Sequence, residues 1–316
     1  MERGGFSDAV RQEVSRSGLR GSDETGAELS AIARLAGVMT VSSSDEGLNV
    51  GVDIASASGA VARRVFALVQ HRYGVRPELA VLAAKGVRRT IYSVRIGRGA
   101  DHLLRDLEIT DESGAPTDRV PANLDGPAKV AYLRGAVLAT GSISAPGRSP
   151  HLELTASSTG VAAGLVELLA SVLGAHAAVV EAERPRVVVK SGAKIGELLQ
   201  AIGAQGAFGD WNESRTRRQV RAAANRLANA DAANLRRSID ASRSQVINVE
   251  TAIANVGWNG LEEDLRSVAL VRLANPEASL AELGQLMDPP LGKSAVHRRL
   301  RRLEAYATED TGEMSG

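Results

Sequence analysis

Cysteine is absent from the 316-residue chain. That excludes disulfides, thiol nucleophiles and thiolate-bound metals, and it suits a reducing compartment. Aromatic residues are scarce, at 3%. A hydrophobic content of 44% still permits a sizeable core, but that core has to be aliphatic. No excess charge of one sign exists either. The formal net charge is +1, which points to no polyanionic partner, so the placement of charge matters more than its sum. No apolar run is clean enough for a bilayer: the most apolar, from Val161 to Val180, is interrupted by Glu167, Gly174 and His176. The opening, MERGGFSDAVRQEV, is charged and amphipathic, unlike a signal peptide. Together these absences predict a soluble, cytoplasmic protein without membrane contact. The five histidines (His71, His102, His151, His176 and His297) show no metal-ligand spacing. There is no phosphate-binding glycine loop, and no Ser-His-Asp constellation is recognisable. No cofactor or metal is expected.

What is present is clearest near the end, in SLAELGQLMDPPLGKSAVHRRLRRLEAY (Ser279 to Tyr306). Ser279 followed by Glu282 has capping-box spacing, and Leu280, Leu283 and Met287 form one helical stripe. Asp288-Pro289-Pro290 stops that helix, because proline lacks an N–H and restricts its predecessor. A second helix restarts near Gly292 or Lys293 with Val296, Leu300 and Leu303 on its buried side. At about 100° per residue, Ser294, Arg298 and Arg301 point directly outward. His297 and Arg302 flank them, and Arg299 lies nearer the buried edge. Two short helices, a tight turn and an outward Arg/Ser/His face form the pattern of a DNA recognition helix, since arginine suits guanine edges and phosphates alike. A solvated basic face has a similar composition. The capped first helix, and five Lys or Arg against one Glu between Leu291 and Tyr306, favour DNA, with Lys293, Ser294, His297, Arg298, Arg301 and Arg302 as its contacts.

Upstream, one order of elements occurs twice. A small-residue helix ending in a polar run covers Glu28 to Ser44, and again Ala131 to Ser144. A strand follows (LNVGVDIAS; HLELTAS). Next comes a helix stopped by glycine, from Gly59 to Tyr73 and from Thr159 to Leu173. Strands at 80–84 and 91–96 correspond to those at 177–180 and 186–190. Closing helices cover Asp101 to Leu107 and Ala193 to Ile202. Leu35 aligns with Leu133, and Gly74 with Gly174. The expected fold class is α+β: a pseudo-two-fold pair of αββαββα repeats, followed by an all-α helix-turn-helix domain. The predicted boundaries are an N-terminal helix and polar lead-in over 1–27 and a repeat domain over 28–206 (repeats 28–119 and 120–206). A helical linker over 207–260, the helix-turn-helix domain over 261–307 and a polar acidic tail over 308–316 complete the chain. The linker holds eight Arg and three acids between Glu213 and Arg243. Arg217, Arg218, Arg221 and Arg226 either touch DNA backbone or sit on a solvated connector.

LAGVMTVSS (from Leu35) and LRGAVLATG (from Leu133) resemble degenerate LAGLIDADG motifs of homing endonucleases. Together with PPLGKSAVHRRLRRL and NVETAIANVGWNGLEEDLR, the chain as a whole resembles the WhiA family of sporulation and cell-division regulators. That resemblance implies an actinobacterial, nucleoid-associated transcription regulator acting at promoters in double-stranded DNA. Its targets would be genes for sporulation septation, cell division and chromosome segregation, and its partners a WhiB-type iron–sulfur co-regulator or a sigma factor. In active LAGLIDADG enzymes the eighth motif position is an acid that anchors divalent metal. Here those positions read as Ser42 and Thr140, and hydroxyls are weak Mg²⁺ ligands. Asp45 and Glu46 follow Ser42, but no symmetric counterpart follows Thr140. The chain is therefore expected not to be an enzyme. On the sheets, alternation buries Ile54 and Leu154 and turns Asp53 and Glu153 outward, with Arg95 and Lys190 as nearby cations. Two other readings compete with the regulator: a protein- or ligand-binding module with secondary DNA binding, and a residual metal-dependent nuclease.

Overall fold

Serine starts and glycine stops set the helices that frame each repeat. In the computed structural model, which describes residues 5–44, 47–83, 90–97 and 99–308, the hydroxyls of Ser58 and Ser158 accept from the N–H groups of Val61 and Val161. Gly74 and Gly174 close the same two helices in the left-handed conformation, at φ 66° and 58°, where a side chain is penalised. The first repeat runs α2 (Ser22–Ala36), β1 (Gly37–Ser44), β2 (Gly47–Ser56), α3 (Gly59–Tyr73), β3 (Glu78–Ala83), β4 (Thr90–Ile96) and α4 (Ala100–Asp106), after a leading α1 (Phe6–Ser15). The second runs α5 (Gly126–Thr140), β5 (Ser142–Ile143), β6 (Leu152–Thr155), α6 (Thr159–Leu173), β7 (Ala178–Val180), β8 (Arg186–Val189) and α7 (Gly192–Ala201). Both are αββαββα. Their antiparallel sheets share one strand order, β1-β2-β4-β3 and β5-β6-β8-β7. Among the described residues four helices follow: α8 (Gln205–Gly260), interrupted at Gly257 (φ 69°, ψ 163°), α9 (Glu263–Ala274), α10 (Leu280–Leu286) and α11 (Lys293–Thr308). Two compact units result, Met1–Gln219 and Val220–Gly316.

The structure shifts one boundary that matters. The helix expected over Glu28 to Ser44 begins earlier, at Ser22, and ends at Ala36, and Gly37–Ser44 is strand β1. The β-branched Val38, Thr40 and Val41 favour a strand there. α2 and α5 are both 15 residues long, and both are closed by an extended glycine, Gly37 and Gly141. At each glycine a Cβ would press on the carbonyl oxygen four residues back, Ala33 O at 2.3 Å and Val137 O at 2.7 Å. Gly37 is therefore the counterpart of Gly141, and Leu29–Gly37 corresponds to Leu133–Gly141. The alignment of Leu35 with Leu133 is displaced by six residues.

The expected lead-in and linker are also parts of the cores. Val10 and Val14 of α1 are fully buried, and Ser7 Oγ bridges the backbone of Ile143 (2.8 Å from N, 3.0 Å to O). Glu13 accepts from the N–H groups of Gly206 and Ala207 (2.6 and 3.1 Å), at the start of α8. Ala207 and Trp211 belong to the first core, and Val249 and Ala252 to the second. The helix over 205–260 thus supplies apolar residues to each unit.

At the centre of the first unit α2 packs on α5. A Cβ on Gly135 would meet Glu28 O at 2.3 Å and the Ala31 side chain at 2.8 Å, so only glycine permits this approach. Into the same contact the chain buries ions. Glu28 accepts from Arg64 Nε at 2.8 Å and Nη2 at 2.9 Å, and from Arg134 Nη1 at 3.3 Å. The side chains of Glu28, Arg64 and Arg134 are only 2%, 3% and 1% exposed. Arg134 Nε also donates to Ile202 O at 3.1 Å. Removing the charge of Glu28 would leave two guanidinium ions buried without their shared anion. Glu28→Gln is expected to destabilise the first unit by about 3–5 kcal/mol. Urea unfolding of the full chain, followed through Trp211 fluorescence, measures this, and an unshifted midpoint would refute it.

Candidate nucleic-acid interface

The C-terminal unit presents α11 by a chain of local constraints. Ser279 caps α10: its hydroxyl accepts from Glu282 N at 3.3 Å, and Glu282 Oε2 accepts from Ser279 N at 2.7 Å. Both halves of a capping box are therefore made. The turn then folds back onto α10, where Leu291 N donates to Gly284 O at 2.8 Å. A Cβ on Gly284 would stand 2.1 Å from Leu291 O, so glycine fixes how closely the turn crosses the helix. Val296, Leu300 and Leu303 are buried with Leu265, Val268, Leu283 and Met287. This sets the rotation of α11. Lys293, Ser294, His297, Arg298 and Arg301 lie exposed on its outer side, and Arg299 is half-buried.

The basic residues of α11 are used in two ways. Arg299 Nε lies 3.3 Å from Asp264 Oδ2. Arg302 contacts Glu262 Oε1 at 2.5 Å and Asp264 Oδ2 at 3.4 Å. These acids, at the start of α9, hold one flank of α11. Lys293, Arg298 and Arg301 make no ion pair among the described residues and remain free for a ligand. Arg302 was expected on the outer face with them. It is exposed, but it is already engaged.

Of the four arginines considered on α8, Arg217 pairs with Glu213 at 2.6 Å. Arg218 donates to the carbonyls of Gly147 and Arg148, the latter at 2.8 Å. Both stay within the first unit. Arg221 and Arg226, in the second, are exposed and make no ion pair among the described residues.

The ends of α2 and α5 are where nuclease acids would project. With the repeats aligned by their closing glycines, the eighth motif position of the first repeat is Ala36, not Ser42. Ser42 lies in β1, opposite Asn49 and exposed. In the second repeat the position is Thr140, as expected, and its hydroxyl is spent on Thr155 O at 2.9 Å. Neither side chain is an anion. Cations occupy the two helix ends instead: Arg184 Nη2 donates to Leu35 O at 2.8 Å, and Arg11 Nη2 donates to Gly141 O. Guanidinium ions at helix C-termini complement the helix dipole and repel a metal ion. Asp45 and Glu46 lie outside the described residues, as does the tail from 309. Among the described residues no group of three His, Cys, Asp or Glu side chains could hold a metal, and no helix is long and apolar enough to cross a membrane.

On the outer faces of the sheets, Asp53 and Glu153 stand opposite buried Ile54 and Leu154 in the alternation. Both have local partners. Asp53 takes Ser93 and Arg95 (3.4 Å). Glu153 takes Arg186 (3.4 Å) and His151 (3.5 Å), not the anticipated Lys190. Sequence reasoning missed Glu262 and Asp264, the shared Glu28, and Arg272. Arg272 had a signal: with Leu265 and Val268 it falls at i, i+3, i+7 on the buried stripe of α9.

Twinned αββαββα repeats with a closely packed glycine-bearing helix pair, followed by a capped helix-turn-helix, define a LAGLIDADG-like domain joined to a helix-turn-helix domain. Family models agree in both parts. The WhiA N-terminal LAGLIDADG-like domain matches residues 22–110, the WhiA LAGLIDADG-like domain 129–221 and the WhiA C-terminal helix-turn-helix domain 224–307. The chain belongs to the WhiA family. A relative from Micrococcus luteus, named probable cell division protein WhiA, is 38% identical over 308 residues, covering 96% of this chain and 94% of the relative. Another of that name, from Nocardia farcinica, is 39% identical over 311 residues, covering 96% and 93%. The crystal structure of full-length DUF199/WhiA from Thermatoga maritima shares the fold, with a TM-score of 0.58 at 24% identity over 98% of this chain and 100% of that one.

The Gly284 crossing is directly testable. Gly284→Ala should destabilise the C-terminal unit by about 1–3 kcal/mol through overpacking. Gly292→Ala, where a Cβ meets nothing within 4 Å, should change little. Thermal unfolding of the two variants makes the comparison, and equal melting temperatures would contradict the assigned crossing.

Proposed function

We propose that this chain is a sequence-specific DNA-binding transcription regulator that reads its site with the outer face of α11. The supporting observation is the division of that helix: Val296, Leu300 and Leu303 anchor it, while Lys293, Ser294, His297, Arg298 and Arg301 stay exposed and, among the described residues, unpaired by any acid. Helices of this type insert their N-terminal part into the major groove. Ser294, His297 and Arg298 then face base edges, with Lys293 and Arg301 toward the backbone. Arg302 and Arg299 hold the helix to the start of α9. Arg221 and Arg226 add backbone contacts from α8. The relatives' name supports placing the regulated genes in cell division. Family membership extends the reading to sporulation septation and chromosome segregation, to action at the nucleoid in the cytoplasm, and to a WhiB-type iron–sulfur co-regulator or sigma factor as partner.

The test begins with duplexes that the full chain selects from a random library. Arg298→Ala should cost about 1–3 kcal/mol on the selected site and relax the choice of one base. Arg302→Ala should weaken good and poor sites alike while leaving the salt dependence unchanged. A log–log salt slope reduced by about 0.9 in Arg302→Ala would place that residue on a phosphate instead. If Arg298→Ala binds every duplex like the wild type, α11 is not the reading helix.

We further infer that the chain does not cut DNA, because Ala36 and Thr140 offer no carboxylate and Arg184 and Arg11 sit at the two helix ends. The expected outcome is intact supercoiled and linear DNA after incubation with the protein in Mg²⁺ or Mn²⁺. Metal-dependent cleavage that is lost on substitution in the repeat domain would overturn this.

A further inference from the structure

Arg272, in the last turn of α9, is fully buried and meets no carboxylate among the described residues. Nη1 donates to Ala278 O (2.7 Å), Pro276 O (3.3 Å) and Asn275 O (3.4 Å). Nη2 donates to Gln245 Oε1 (2.7 Å), and Nε has no partner. These acceptors are neutral dipoles. They orient the guanidinium without cancelling its charge, in contrast to Arg64 and Arg134, which share Glu28. Burial alone lowers its pKa, with no anion opposing the shift. An ion held in this way is costly and projects a positive field into whatever space adjoins it.

The adjoining space is a cleft of about 300 Å³ bordered by Arg272. Ser238, Ser242 and Gln245 of α8, Ser279 at the cap of α10 and Lys293 at the start of α11 also line it. Among the described residues no acid is in the lining. Glu277 and Glu282 border a different cleft, and Glu282 is committed to Ser279 N. The lining thus combines one ammonium, several small hydroxyls and a buried guanidinium behind them. Those are the groups that receive a phosphate.

We propose that this cleft seats one backbone phosphate of bound DNA, with Lys293 and the hydroxyls of Ser238 and Ser242 as its contacts and Arg272 as the buried charge behind them. The proposal rests on the DNA-binding reading and extends the interface from α11 to α8. DNA is favoured over a free phosphate by position. Lys293 adjoins Ser294 and lies about one turn from His297 and Arg298, so the cleft opens at the end of α11 that enters the groove, where a duplex backbone passes. The hydroxyls of α8 would bind there without reading sequence, fixing the register in which α11 meets the bases.

Because Arg272 also ties down the loop before α10, its removal endangers folding. The test uses Ala241→Glu instead, at an exposed position in the cleft lining, with Ala233→Glu as an exposed control on α8 outside it. Binding of the full chain to its library-selected duplex is measured by fluorescence anisotropy across a salt series. Ala241→Glu and Lys293→Met should each weaken binding about tenfold or more, with base preference unchanged and a log–log salt slope lower by about 0.9. Ala233→Glu should stay within about threefold of the wild type. Neutral methylphosphonate linkages placed singly along the duplex should reveal one position that weakens the wild type and has no further effect in Ala241→Glu. Unchanged binding by Ala241→Glu and Lys293→Met, beside a wild type that binds, would overturn the phosphate seat and leave the DNA reading standing. Inorganic phosphate that raises the melting temperature of the wild type but not of Ala241→Glu, with DNA binding equal in both, would assign the cleft to a free anion and overturn the proposal. A wild type that selects no duplex would remove the DNA reading itself.

Discussion

One carboxylate, Glu28, holds two guanidinium ions inside the first unit, and the pairing of the two repeats is built around it. Glu28 sits on α2, Arg64 on α3 and Arg134 on α5, so the network joins the central helix of one repeat to that of the other and to the helix behind it. The small residues at the crossing bring these charges within reach of one another: Gly135 passes the backbone of Glu28 with no room for a methyl group. A larger residue there would separate the helices and the charges together. An apolar trio would pack as well or better. What ions add is selectivity, because a slipped register of α5 on α2 would leave a charge buried alone.

That arrangement fits how the whole chain distributes its arginines. In the first unit several of them are committed inward or to backbone carbonyls. Arg34 holds Thr117 O and Glu108 O, Arg184 holds Leu35 O, Arg11 holds Gly141 O, and Arg218 holds the loop at Gly147. In the second unit Lys293, Arg298 and Arg301 make no ion pair among the described residues. A formal net charge of +1 therefore conceals two different surfaces. The sheet acids Asp53 and Glu153 have local cationic partners, whereas the outer face of α11 carries Lys293, Arg298 and Arg301 exposed and with no ion pair among the described residues. A phosphate backbone is attracted by unspent charge, which is why the second unit carries the DNA reading.

Much of this was legible in the residues, and the exceptions have physical causes. α3 and α6 were bounded correctly because a serine cap and a left-handed glycine are local signals that need no tertiary partner. α10 and α11 were read for the same reason, from Ser279, the prolines and the apolar spacing. The end of α2 was missed because Gly37 is extended (φ −83°). Its closure depends on the approach to Ala33 O and not on a conformation peculiar to glycine, and Ala, Val and Met on either side permit helix and strand alike. That one error moved the first motif by six residues, placing its eighth position at Ser42 where the fold puts Ala36. The turn expected over 257–260 is a local break at Gly257 within α8. Partners distant in sequence stayed invisible: Glu262 and Asp264 for Arg302, and Glu28 for Arg64 and Arg134, need the fold before they meet.

The corrected position changes what the lost acids mean. With Ser42, the first site would have retained an oxygen and a nearby pair of acids, so a weak metal site was conceivable on paper. With Ala36 no oxygen remains on that side chain, and the nearby guanidinium of Arg184 holds the carbonyl of Leu35. The cation is in place and bonded to the backbone one residue before Ala36, at 2.8 Å. Each helix end instead carries an arginine bonded to a backbone carbonyl, Arg184 on Leu35 O and Arg11 on Gly141 O. These cations complement the dipoles of the two helices. The packing of α2 on α5 is independent of what stands there, because it depends on Gly135, Ala31 and the buried network of Glu28, Arg64 and Arg134, not on the residues at the helix ends.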